Sequence, residues 1–169
     1  ADMYQLRGAS ITACPTVMWL QANQERLVRS AKQSHEVLLS IHDTLLTPSE
    51  QKAIENAMKA HGPYAATDNL QRFRTGLEDI LGVFATSRSV VTSRLHGAIF
   101  AYSLGIPYIA ISRDPKIEAF VATYGGGTVA SGLDSIISFL SCKHAKRKLP
   151  NTDAIVDFGK GARAVALSL

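Results

Sequence analysis

Short apolar runs of strand length alternate along the chain with longer stretches whose apolar residues recur at helical spacing. Residues 36–41 (EVLLSI), 64–67, 90–92 (VVT), 108–111 (YIAI) and 128–130 read as strands, and 90–92 has the β-branched content of a buried one. Residues 47–60 predict the clearest helix. Thr47 or Ser49 can cap it, Pro48 suits its first turn with Glu50 behind, and Ile54, Ala57 and Met58 recur on one face. His61-Gly62-Pro63 ends it. Residues 70–84 predict a second helix, with Leu77, Ile80 and Leu81 on one side. Residues 98–104 predict a third, stopped by Gly105 and Pro107, and 117–124 a fourth, stopped by Gly125-Gly126-Gly127. Residues 133–142 form a fifth, with Asp134 in its first turn. Residues 1–20 read as a lead-in or interdomain crossing, 21–34 as a loop or short exposed helix, and 151–169 as helical at the end.

Strands alternating with helices imply an α/β fold: a Rossmann-like parallel sheet of about five strands with helices on both faces. Strand order 3-2-1-4-5 is compatible with this pattern, which does not fix it. The chain divides into a lead-in or interdomain segment at 1–34, a Rossmann-like domain at 35–150 and a C-terminal helical tail at 151–169.

Composition narrows the chemistry. At 169 residues the chain is long enough for about one domain, and 46% apolar with 19% charged residues places it among folded proteins rather than disordered ones. The net charge of +4 suits anionic small molecules or a membrane surface. No Lys/Arg stripe interleaves with aromatics, which argues against nucleic acid. Cys14 and Cys142 form no CxxC and the histidines do not cluster, so no metal site is expected and two reduced thiols in a cytoplasmic protein are. The run 11–20 lacks the basic start and cleavage-like end of a signal peptide. The longest apolar tract, 98–111, is interrupted by Gly105 and Pro107 and is too short to span a bilayer. The basic run 143–148 (KHAKRK) reads either as a solvated helix end or as weak attraction to an anionic membrane or lipid-linked acceptor.

The chemistry concentrates at 89–116, which reads strand, polar turn, helix, strand, polar turn, helix start. In an open parallel sheet both turns lie at the carboxyl edge, where such sheets bind ligands. Arg94 offers a planar fork for a carboxylate or phosphate. His96 is a residue type that moves protons near neutral pH. Gly97 lets backbone approach a ligand, and free N–H groups at a helix start favour an anion. Lys116 adds a point charge from the second turn. Ser93 can donate to a phosphate but lacks the GxSxG setting of a nucleophile. His42 and Asp43 end the first strand, and Asp68 and Asn69 the second; each pair lines the cleft or caps the following turn. Blander readings exist for the main three: a surface or satisfied core histidine, an arginine bridged to a sheet-edge carboxylate, and a solvated lysine. Residues 125–127 follow a helix and read as a flexible turn, not a GxGxxG. The residues alone imply a small anionic ligand held by two turns, with one histidine placed for acid–base work.

Val91-Thr92-Ser93-Arg94-Leu95-His96-Gly97, then Gly105-Ile106-Pro107, then Asp114-Pro115-Lys116 resembles the signature of the polysaccharide pyruvyl transferase family. Cys14-Pro15-Thr16 is similar to a Cys-Pro-Ser/Thr segment upstream in that family. One departure is Arg113, where many relatives carry an aromatic ring. The resemblance implies the C-terminal half of a two-domain, glycosyltransferase-B-like protein, and with a chain beginning Ala-Asp-Met it suggests a fragment or excised domain. It implies transfer of a pyruvyl group from phosphoenolpyruvate to two hydroxyls of one sugar as a ketal, with no cofactor. The implied partners are phosphoenolpyruvate, a glycan or lipid-linked sugar acceptor and a missing N-terminal domain, in the cytoplasm or at the inner face of a membrane. His96 would be an acid/base or a phosphate ligand, with Ser93, Arg94, Leu95, Gly97 and Lys116 on the donor. Two other readings remain open: the donor-binding domain of a sugar-nucleotide glycosyltransferase, and a non-catalytic sugar- or partner-binding module.

Overall fold

The computed structural model describes residues 15–29, 32, 34–41, 46–67, 77–112 and 114–142. The sequence readings at Cys14, His42, Asp43, Asp68, Asn69, Arg113, 143–148 and 151–169 lie outside these residues.

The apolar runs form five strands, β1 (His35–Ser40), β2 (Tyr64–Thr67), β3 (Ser87–Thr92), β4 (Tyr108–Ala110) and β5 (Gly127–Val129). They build one sheet in the order β2-β1-β3-β4-β5, every neighbouring pair parallel. The Rossmann-like α/β architecture is the expected one. The strand order is not: 2-1-3-4-5 replaces 3-2-1-4-5. The reason lies in which strands can tolerate an edge. Val37, Leu38 and Leu39 of β1 are buried, so β1 needs a neighbour on each side. The short β2, with Ala66 exposed, sits at the edge. The chain therefore passes back across β1 and lays β3 along its other side, Leu38 beside Val90 and Leu39 beside Val91.

Alternation along the strands sorts the core into two layers. Leu38, Val90 and Tyr108 share one cluster with α1 (Pro15–Arg29), α3 (Leu77–Ala85), α4 (Leu95–Ser103) and α5 (Pro115–Tyr124). Val37, Leu39, Val91 and Ile109 share the other with α2 (Pro48–His61) and α6 (Leu133–Ser141). The α2 start carries the capping box its sequence promised, Thr47 and Glu50 exchanging bonds at the helix entry.

Local differences from the sequence reading have physical causes. Where a lead-in and then a loop or short exposed helix were expected, α1 runs for 15 residues, and Val17 and Leu20 are fully buried in the first cluster. The helix α4 begins at Leu95 rather than at residue 98, so Leu95-His96-Gly97 is its first turn. Gly125 and Gly126 form the turn, at φ 69° and 75°, while Gly127 already begins β5. Among the described residues no helix is long and apolar enough to cross a membrane.

The helix α4 is enclosed. Residues 97–103 are all buried, under α1, α3 and α5, with Phe100 set edge-to-face on Phe84 at 5.3 Å. Only its first residues come to the surface.

Candidate functional site

In this topology the connections leaving β1 and β3 diverge to opposite faces of the sheet, which opens a crevice between the carboxyl ends of these two strands. The turn after β3 crosses that crevice. Ser93 N–H donates to Ser40 O at 3.1 Å, and Arg94 Nε–H donates to Ile41 O at 3.0 Å. Both acceptors belong to the end of β1 or the residue after it.

Thr92 organises the turn. Its hydroxyl is fully buried and accepts from Arg94 N–H at 3.0 Å. Its proton goes to Ser40 O at 2.7 Å, with Arg94 O at 3.1 Å as a second acceptor. One side chain thus joins the end of β1, the end of β3 and the residue that caps α4. Arg94 is that cap, in extended conformation, and Ala98 N–H returns to Arg94 O at 3.1 Å.

The candidates separate on this frame. Arg94 is half-buried; its bridge to Ile41 O engages Nε, and among the described residues no acceptor meets its two terminal nitrogens. Its partner there is a carbonyl and not a sheet-edge carboxylate. His96 is the second residue of α4 and exposed, its ring centroid 6.1 Å from that of Phe100. Leu95 is half-buried against the first core cluster. Ser93 is 1% exposed and lies in the floor of the turn.

Gly97 is buried and faces inward. A Cβ there would overlap Thr92 Oγ1 and stand 2.7 Å from Ser40 Oγ. Glycine is required at this position by the approach of α4 to the sheet; toward a ligand, Gly97 offers its N–H.

The second turn is built the same way. Ile111 N–H donates to Thr92 O at 2.7 Å, which extends the β3–β4 pairing to the residue after β4. Asp114 caps α5, its carboxylate accepting from Lys116 N–H at 2.9 Å, with Pro115 in the first turn. Lys116 is exposed on that turn. The structure thus brings Arg94, His96 and Lys116 to the carboxyl ends of two adjacent strands.

Three members of the site escaped the sequence reading: Thr92, Ser40 and the Ile41 carbonyl. Thr92 carried a signal, a hydroxyl at the end of a strand otherwise apolar.

A model of the polysaccharide pyruvyl transferase family matches residues 8–115, well over half of the chain, and contains this turn. The chain belongs to that family. No curated protein matches it. Among solved structures it is similar to the UDP-GlcNAc 2-epimerase of Methanocaldococcus jannaschii, in complex with UDP-GlcNAc and UDP. The two share 12% identity at a TM-score of 0.59, over 92% of this chain and 54% of that one. At that identity the likeness is one of fold, and the chain spans about half of the epimerase's length.

The pyruvyl transferase signature therefore reads partly as internal structure. Thr92→Val should cost about 1–3 kcal/mol, because it leaves the Arg94 N–H without its acceptor and removes one of the donors on Ser40 O, which keeps the Ser93 N–H. Thr92→Ser keeps the hydroxyl and should cost about 1 kcal/mol for the lost methyl. Urea midpoints of the two variants check this; equal losses would remove the hydroxyl from the account.

Proposed function

We propose that this chain is the donor-binding part of a ketal pyruvyltransferase, acting on phosphoenolpyruvate and a sugar diol. The observation that carries the reading is Arg94. It is tethered through Nε–H to Ile41 O across the crevice, with no acceptor among the described residues on its terminal nitrogens, beside the first turn of α4 and inside the residues the family model matches.

Phosphoenolpyruvate presents a carboxylate and a phosphate. The terminal edge of the Arg94 guanidinium suits bidentate capture of one, and Lys116 supplies charge for the other. The N–H groups of Leu95, His96 and Gly97 begin α4 and favour an anion. Transfer needs a proton delivered to the methylene carbon, which becomes a methyl group and leaves C2 oxocarbenium-like. One sugar hydroxyl attacks C2 and gives up its proton. The C2–O bond to phosphate breaks, phosphate leaves, and the second hydroxyl closes the ketal as its own proton is lost. His96 is the group placed to move these protons.

The acceptor in this reading is a glycan or lipid-linked sugar, approached by a second domain. A phosphorylated donor and a sequence with only two cysteines suit the cytoplasm, and the basic run at 143–148 suits the inner face of an anionic membrane.

The fold likeness supports one alternative, a sugar-nucleotide enzyme whose diphosphate takes the same turn. Thermal shift separates them. Phosphoenolpyruvate should raise the melting temperature, since a ligand at 100 times its Kd stabilises by about 2.7 kcal/mol. Arg94→Lys, which keeps charge but loses the fork, should weaken that binding by about tenfold or more. A shift with UDP-GlcNAc or UDP and none with phosphoenolpyruvate would overturn the pyruvyl reading.

A further inference from the structure

A cavity of about 470 Å³ opens at the carboxyl edge beyond β4 and β5, on the side of the sheet covered by α2 and α6. Its size is that of a small-molecule site; Arg94, His96 and Lys116 are not among its lining residues, while Ile111 and Ser112 of the second turn are. Its floor is aliphatic: Ile54 of α2, Ile111 after β4 and Ile136 of α6. Its polar side chains among the described residues are the hydroxyls of Ser49, Ser112 and Ser131 and the carboxylate of Glu50.

We propose that this cavity binds a neutral, hydroxyl-bearing ring. Three observations carry this. Among the described residues the lining holds a carboxylate and hydroxyls and no Lys, Arg or His, a set that favours groups that donate hydrogen bonds. The carboxylate is fixed in place: Glu50 Oε2 accepts from Thr47 N–H and from Thr47 Oγ1, both at 2.9 Å, as part of the α2 cap. The aliphatic floor suits the C–H face of a saturated ring, whose hydroxyls then reach the rim. The cavity also adjoins the donor turn. Ser112 lines it, and Asp114 and Lys116 follow on the same connection into α5. One ligand chemistry therefore continues from the other along a single loop, anion at Arg94 and Lys116, uncharged ring here.

Two sources supply such a ring, the pyranose of a sugar acceptor and the ribose of a nucleoside. Assigning it to the acceptor rests on the pyruvyl-transfer reading; the cavity's preference for a neutral polyol does not.

The test is amide NMR on the labelled chain. The probes are methyl glucoside, methyl galactoside and methyl mannoside, uridine, and separately phosphoenolpyruvate. A pyranoside at millimolar concentration should shift amides at 49–54, 111–112 and 130–136. Ala53→Phe, which projects a ring into the cavity, should abolish the shifts. Glu50→Gln should weaken binding about fivefold, because glutamine still serves the capping box but gives a neutral acceptor. If Ala53→Phe does not fold, Glu50→Gln decides alone. Shifts with uridine only would support the cavity and assign it to a nucleoside. No shift at these amides with any neutral probe, or shifts that neither variant alters, would overturn the proposal. Phosphoenolpyruvate shifting 94–97 while every neutral probe fails overturns the cavity and leaves the donor reading intact. The converse result overturns the donor reading and leaves the cavity.

Discussion

His96→Ala should lower turnover by about 10²–10⁴-fold while leaving the melting temperature of the protein unchanged, if His96 moves a proton in the slow step. The exposed ring explains the second half: it is at the surface, and among the described residues its ring neighbour is Phe100, so removing it opens no buried void. Acceptor-dependent phosphate release, in a form of the protein that turns over, measures the first half. His96→Gln divides the two roles. Glutamine donates a hydrogen bond to a phosphate but shuttles no proton at neutral pH. Turnover near normal in His96→Gln would make the histidine a ligand and remove it from proton transfer. Normal turnover in both variants would remove it from the site.

Gly97→Ala should be strongly destabilising, at about 2–4 kcal/mol. The new methyl group overlaps Thr92 Oγ1 and stands 3.1 Å from Thr92 Cβ, and neither atom is the far end of a flexible side chain. To make room, α4 must lift from the sheet or Thr92 must release Ser40 and Arg94. Overpacking costs about 1–3 kcal/mol and a broken buried hydrogen bond about 1–3 kcal/mol, against about 1 kcal/mol gained by replacing glycine inside a helix. For a chain of this size the melting temperature should fall roughly 5–15 °C. Gly82 of α3 is the control, since a Cβ there meets nothing within 4 Å. Gly82→Ala should be neutral or stabilising by up to about 1 kcal/mol. Equal melting temperatures for the two variants would show that the Gly97 contact is not as tight as drawn.

These two neighbours show what the sequence could and could not tell. His96 was readable because its evidence is local: a titratable side chain between a strand and a helix, two residues after an arginine. The reason for Gly97 was not readable, because the atoms that exclude a side chain there include Ser40, which only the β1–β3 pairing brings near. Strand order failed for the same reason. Apolar runs announce strands, but which strand lies beside β1 is decided by burial on both its flanks. The cap of α2 was legible because Thr47, Pro48 and Glu50 lie within four residues. The helix α1 was legible and missed: Val17, Leu20, Gln24 and Leu27 recur at spacings of three and four, and all four are buried or half-buried, but intervening polar residues mask the stripe.

The enclosure of α4 has a consequence for how the site spends binding energy. An anion docking at its start meets N–H groups carried by a helix that is already immobilised from residue 97 onward, and an arginine already pinned to the neighbouring strand. Little ordering is left for the ligand to impose there, so most of its contact energy remains available as affinity. In a two-domain transferase, the adjustment that brings donor and acceptor together would then fall to the relative swing of the domains, with this half moving as a rigid block.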